Sequence, residues 1–207
     1  MDRSVTPHQH IISELIDAGK KLYARGWVPA TSGNFSARLD PDKIAITVSG
    51  KDKGTLNSED IMTVDQKGQP LDNKAPSAET ELHVALYARY PATNAVLHTH
   101  SINATLISRI YNNGIQLRGY ELLKAFHGVR THETTIQVPV FENDQDIARL
   151  SGKVLRYLDN NPQIYGYLIA GHGLYTWGQS VQEALRHIEA FEFLFECELT
   201  LNGVNIK

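Results

Sequence analysis

His98-Thr99-His100 closes the apolar run Ala95-Val96-Leu97. On an extended strand, residues two apart project to one face, so both imidazoles converge while Thr99 points away. A helix would set them roughly 200° apart around its axis. Neutral imidazole is the commonest metal ligand, and two aligned rings supply half of a tetrahedral zinc site. The chain has nine His in 207 residues, and a second such pair, His8-Gln9-His10, stands in a polar stretch before Ile11, Ile12, Leu15 and Ile16. That copy reads as an exposed helix start with no ligand role. His98 and His100 differ in context, with a strand before them and the helix-compatible Ser101–Ile107 after them. Strand ends line the crevice in which α/β proteins bind ligands.

A third ligand is required, and His172 is the best placed. Apolar runs flank Gly171-His172-Gly173, which reads as one strand turning tightly into another. Glycine on both sides lets the backbone approach closely and leaves the imidazole unshielded. The alternative is a turn histidine that only hydrogen-bonds backbone. His83, His127, His132 and His187 lack this setting. His187 falls on a long amphipathic helix with Glu189 and Glu192, which suggests a solvated or interface role.

Three loops combine hydroxyls with free backbone N–H groups: Thr31-Ser32-Gly33-Asn34, Thr47-Val48-Ser49-Gly50-Lys51 and Pro76-Ser77. Such segments form anion-binding concavities, and a helix start after Ser77 would favour phosphate. Lys51 would add charge. Each loop taken alone also suits an ordinary turn.

The elements that must position these groups follow from periodicity. A first helix spans Pro7 to Arg25, stopped by Gly26, and Phe35–Leu39 and Ile44–Val48 form a hairpin around Asp40-Pro41-Asp42. Ile61–Val64 and a short strand near Pro70-Leu71 extend the sheet. Ala78–Tyr90 is helical, Ala95–His100 is the histidine strand, and a helix follows it. Gly119–Phe126 is helix-like, Thr134–Val140 is a strand, and Asp144–Leu158 is a helix. Tyr167–Trp177 is a strand pair and Ser180–Leu201 a closing helix. Hairpins mixed with helices predict an α/β fold with a largely antiparallel or mixed sheet covered on both faces.

Length fits one domain over residues 1–207. A net charge of −3 without a basic run leaves no footprint for nucleic acid. No apolar stretch approaches the ~18 residues of a membrane span, and no signal-peptide pattern is visible. Cys197 is the single cysteine, which excludes an internal disulfide and suits a reducing cytoplasm.

Thr31-Ser-Gly-Asn, Val48-Ser-Gly-Lys, Pro76-Ser-Ala-Glu-Thr-Glu-Leu-His, His98-Thr-His and Gly171-His-Gly-Leu-Tyr-Thr-Trp-Gly occur in the order found in the class II aldolase/adducin head family. The chain resembles that family over about residues 8–200. Gly119–Phe126 and Val138–Asn143 look most like its dehydratase branch, which handles a methylthio-substituted ketose phosphate in methionine salvage. The resemblance implies an α/β/α sandwich, a homotetramer with sites near subunit interfaces, and one zinc per subunit on His98, His100 and His172. It implies Glu121 as acid/base, Glu79 as a second carboxylate, and Thr31, Asn34, Ser49, Gly50 and Ser77 around the sugar phosphate. Ala78 departs from the aldolase pattern, which often has serine there. Aldol cleavage or pentulose-phosphate 4-epimerisation on Glu79 is the alternative chemistry, and a non-catalytic adducin-like assembly module the alternative class. An apolar pocket for a substrate tail would draw on Leu117, Tyr120, Phe126 or Phe141, which are equally candidates for core.

Overall fold

The computed structural model describes residues 6–204. Helix α1, Pro7–Ala24, begins on Thr6, whose hydroxyl accepts the Gln9 N–H while the Gln9 side chain accepts the Thr6 N–H. Gly26 ends it in a left-handed conformation (φ 73°). The hairpin of β1, Asn34–Asp40, and β2, Lys43–Thr47, turns at Pro41-Asp42. Then come β3, Ile61–Asp65, α2, Thr80–Arg89, β4, Ala95–Thr99, and α3, Ile102–Ile110. The C-terminal half holds β5, Ile115–Leu117, a 3₁₀ turn at Glu121–Ala125, β6, Ile136–Val138, and β7, Val140–Phe141. It closes with α4, Ile147–Asn160, β8, Gly166–Ile169, β9, Gly173–Gly178, and α5, Val181–Leu201.

The main sheet has the order β3-β2-β1-β4-β9-β8-β7, antiparallel throughout except for the parallel β7–β8 pair. Strand alternation sorts its residues into two cores. Phe35, Ala37, Ala95, Leu97 and Leu174 pack under α1, α3 and α5. Ile44, Ile46, Val96, Tyr167 and Tyr175 pack under α2 and α4. The result is the expected helix–sheet–helix sandwich around a mixed, mostly antiparallel sheet. Each large apolar side chain so buried contributes about 1.5–3 kcal/mol.

Several boundaries differ from expectation for local reasons. Helix α2 starts at Thr80 rather than Ala78, because Ser77 is spent on a turn in which its hydroxyl accepts the Glu79 N–H at 3.3 Å. The run Thr134–Val140 divides at Pro139, which has no N–H for a ladder. Its first part pairs with β5, a strand not expected from the sequence, and its second part with β8. Asp144 precedes α4, which Asp146 caps. Pro70 makes only an isolated bridge to Val64 rather than a strand. His187 is not solvated: it is 2 % exposed, and Glu192 on the same helix is 1 % exposed. Helix α5 packs on the sheet along most of its length, so polar residues on its inward side are buried with it.

Candidate metal centre and adjoining loops

His98 is the fourth residue of β4, and His100 lies one residue past its end. The ring of His98 stacks on Tyr175 of β9 at 3.9 Å between centroids and 13° between planes. Its Nδ1 lies 2.9 Å from the Leu174 carbonyl oxygen. Only an Nδ1–H can make that bond, so the tautomer is fixed and the Nε2 lone pair points away from the sheet. The turn between β8 and β9 brings His172 to the same place. The three Nε2 atoms lie 2.8 Å (His98–His100), 3.2 Å (His98–His172) and 3.2 Å (His100–His172) apart. Three nitrogens on one tetrahedral zinc, at about 2.0–2.1 Å each, would stand about 3.3 Å apart. Among the described residues this is the one cluster of three or more such side chains with ion-binding spacing. Burial, opposed in part by the Glu79 carboxylate, pushes His98 well down and His100 to about 4, so both rings are neutral and able to act as ligands.

Glu79 stands at the rim, immediately before α2. Its Oε1 is 3.1 Å from His172 Nε2 and its Oε2 is 3.8 Å from His98 Nε2. Burial pushes its pKa up, but its close contacts with His172, His98 and the Asn34 amide outweigh this. The carboxyl is held below the usual range. A carboxylate is thus already beside the three nitrogens within one chain.

The three hydroxyl-bearing loops meet as well. A cavity of about 240 Å³ is lined by Thr31, Asn34, Ser49, Gly50 and Ser77, with Glu79 and His100 at its edge. Lys51 does not line this cavity, because its ammonium pairs with Asp60 at 3.0 Å. Sequence reasoning missed Lys53, which is 1 % exposed and donates to the Thr31 and Lys51 carbonyl oxygens at 2.9 and 2.7 Å. Burial, opposed in part by Asp52, lowers it to about 8. It braces a strained loop in which Ala30 and Thr31 both adopt left-handed backbone (φ 52° and 65°), a conformation costing about 1–3 kcal/mol at a non-glycine residue. Nothing in the local pattern Asp52-Lys53-Gly54 signals a buried lysine.

Glu121 is placed elsewhere. It is largely exposed and contacts Lys124 and, at 3.7 Å, His132. The lysine hydrogen bond lowers its pKa. Neither contact belongs to the histidine cluster. Leu117 and Phe126 belong to the core, whereas Tyr120 and Phe141 are only partly buried. His8 and His10 lie on the first turn of α1 and pair with Asp40 and Glu14, as expected of an exposed helix start.

The methylthioribulose-1-phosphate dehydratase of Methylococcus capsulatus is 57% identical over 192 residues, covering 93% of this chain and 94% of that protein. The enzyme of the same name from Pseudomonas aeruginosa PAO1 is 56% identical over 193 residues, covering 92% and 94%. Among solved structures, YgbL of Klebsiella pneumoniae superposes with a TM-score of 0.81 at 26% identity, covering 97% of this chain and 93% of that one. The L-fuculose-1-phosphate aldolase of Thermus thermophilus shares the fold with a TM-score of 0.75 at 24% identity, covering 94% and 96%. The model of the class II aldolase and adducin N-terminal domain matches residues 13–199, and the chain belongs to that family.

Proposed function

We propose that this chain is a zinc-dependent hydro-lyase that converts 5-methylthioribulose 1-phosphate to 2,3-diketo-5-methylthiopentyl 1-phosphate and water, within methionine salvage. The observation that carries this is the convergence of His98, His100 and His172 beside Glu79, in a chain 57% identical to a methylthioribulose-1-phosphate dehydratase along nearly its whole length.

His98, His100 and His172 would hold the ion, which when bound supplies Lewis acidity to the ketose oxygens. The reaction removes the C3 proton and the C4 hydroxyl as water, leaving an enol that tautomerises to the diketone. Two proton movements need two sites. Glu79, ionised at the rim, takes the C3 proton on a carboxylate oxygen. Glu121, reaching the centre from a second subunit, is the acid/base partner that assists departure of the C4 hydroxyl as water. Supporting this, its chain neighbour Tyr120 lines, with Phe193, Cys197 and Leu201, an exposed cavity of about 480 Å³. Phe193 and Leu201 are 53 % and 76 % exposed, as expected of residues covered in a homotetramer. Thr31, Ser49, Gly50 and Ser77 receive the phosphate through hydroxyls and backbone N–H groups. No described helix is long and apolar enough to cross a membrane. With Cys197 unpaired, we place the enzyme in the cytoplasm.

A second reading is favoured by one observation: within a single chain, Glu79 and not Glu121 adjoins the histidines. Glu79 alone would suit an aldolase or 4-epimerase acting on a related sugar phosphate. A product assay separates the two. Purified protein with added zinc is given methylthioribulose 1-phosphate, fuculose 1-phosphate and ribulose phosphates. Diketone from the first and no carbonyl fragments or epimers from the others is expected; fragments or an epimer without dehydration overturn the dehydratase assignment. About one zinc per chain in the purified protein is also expected, and its absence, with no gain on addition, would revive the adducin-like assembly module.

A further inference from the structure

Glu79, at the N-cap of α2, recurs at four-residue spacing with His83 and Tyr87 on one face of that helix, while Asn34 and Ser36 recur every two and share one face of β1. The two faces meet, and their polar groups form an unbroken series. Asn34 Nδ2 bonds Glu79 Oε2, and Asn34 Oδ1 bonds His83 Nε2. His83 Nδ1 lies 2.7 Å from Ser36 Oγ, which lies 2.9 Å from the Tyr87 hydroxyl. His83 and Ser36 are completely buried, and Asn34 and Tyr87 nearly so.

The direction of every bond follows from the Asn34 amide: its NH₂ can only donate and faces Glu79, and its carbonyl can only accept and faces His83. His83 therefore carries its proton on Nε2. Burial lowers its pKa to about 4, so the ring is neutral and Nδ1 has only a lone pair. Ser36 must donate to that lone pair, which leaves its oxygen to accept from Tyr87. All donors point the same way, towards Glu79, and hydrogen bonds in such a chain polarise one another.

We propose that His83, with Ser36 and Tyr87 behind it, is a positioning residue: it locks the Asn34 amide in the one orientation that donates to Glu79, and so fixes the plane of the base beside the three histidines. The proposal rests on the reading of Glu79 as the base. It also changes the expected work of Asn34, whose carbonyl and one N–H are committed to this chain and not to a substrate phosphate. His83 touches neither substrate nor ion. A flipped Asn34 would set its carbonyl oxygen against the carboxylate, and small misplacement of a catalytic group costs about a hundredfold in rate.

The tautomer is testable on the resting protein, independent of turnover. Nitrogen-15 NMR at pH 7 should show His83 neutral, with the proton on Nε2 and an acceptor-type Nδ1. An Nδ1–H tautomer or a charged ring overturns the chain whatever reaction the enzyme performs. His83→Phe should lower kcat by about ten- to a hundredfold with KM changed less than about threefold and metal content intact. His83→Gln, which returns an N–H towards Asn34 Oδ1, should recover most of that loss. Tyr87→Phe should lower kcat by a few-fold. If His83→Phe fails to fold, the His83→Gln and Tyr87→Phe pair decides: wild-type kcat in Tyr87→Phe, or no better kcat in His83→Gln than in Ser36→Ala, overturns the proposal. Absence of dehydration by the wild-type enzyme would instead refute the functional reading, leaving the NMR result to judge the chain.

Discussion

Gly173 shows how tightly single residues set the histidine cluster. A Cβ there would stand 2.0 Å from the Thr99 carbonyl oxygen and 3.2 Å from His98 Cε1. The oxygen belongs to the backbone of β4 and cannot move aside without breaking the β4–β9 pairing of Thr99 with Leu174. Gly173→Ala is therefore expected to cost about 1–3 kcal/mol in denaturant unfolding, as overpacking does, and to lower bound zinc per chain together with activity. Full metal content in a stable Gly173→Ala protein would show that the strand end tolerates displacement. Glu79→Gln keeps the shape of the site but cannot take a proton. With zinc retained, its kcat should fall by about 10²–10⁴-fold, the usual contribution of general acid–base catalysis.

Between elements, the junction of β4 with α3 is tied to α5. Ser101 follows His100, caps α3 by accepting the Ala104 N–H, and donates its own hydroxyl to Glu192 Oε1 at 2.6 Å. Glu192 is buried among apolar neighbours, and burial, opposed by the Ser101 and Asn103 hydrogen bonds, raises its pKa from 4.5 to about 7. A raised folded-state pKa means that the native protein holds a proton the unfolded chain releases. Stability from this group is complete below pH 4.5 and is lost as pH rises to about 7. At about 1.4 kcal/mol per pH unit, the loss is of the order of 3 kcal/mol. Glu192→Gln stays neutral and should remove this part of the pH dependence. Urea unfolding at pH 5 and pH 8 measures it, and equal slopes for wild type and variant would refute the assignment. Ser101→Ala should cost about 1 kcal/mol for the cap at either pH.

At the scale of the assembly, Glu79 and Glu121 are assigned to one reaction although a single chain keeps them apart. If the partner subunit supplies Glu121, two inactive variants can complement each other. Coexpressed Glu79→Gln and Glu121→Gln chains should recover a measurable fraction of wild-type diketone formation, because some mixed sites contain both carboxylates. Each variant alone should be inactive. Recovery absent from verified hetero-oligomers would refute the supply of Glu121 by a partner subunit. Leu201→Glu combined with Phe193→Glu should shift the protein to smaller species in sedimentation and reduce turnover in parallel, since a charge on each would be buried in the proposed interface.

Much of this protein was readable without coordinates wherever a short period and a single geometric rule sufficed. His98 and His100 follow from strand alternation, His172 from its glycine-flanked turn, the layered fold from hairpins mixed with amphipathic helices, and the meeting of three hydroxyl loops from their shared composition. Long-range packing decided the rest. That His83 and Tyr87 line up with Asn34 and Ser36 depends on how α2 lies across β1, and that His187 and Glu192 are buried depends on α5 lying on the sheet. Lys53 folds inward beneath Thr31 while Lys51 turns to Asp60, a choice no local pattern encodes. Period and composition act over a few residues, whereas burial and hydrogen-bond direction are set by segments that meet only in the folded chain.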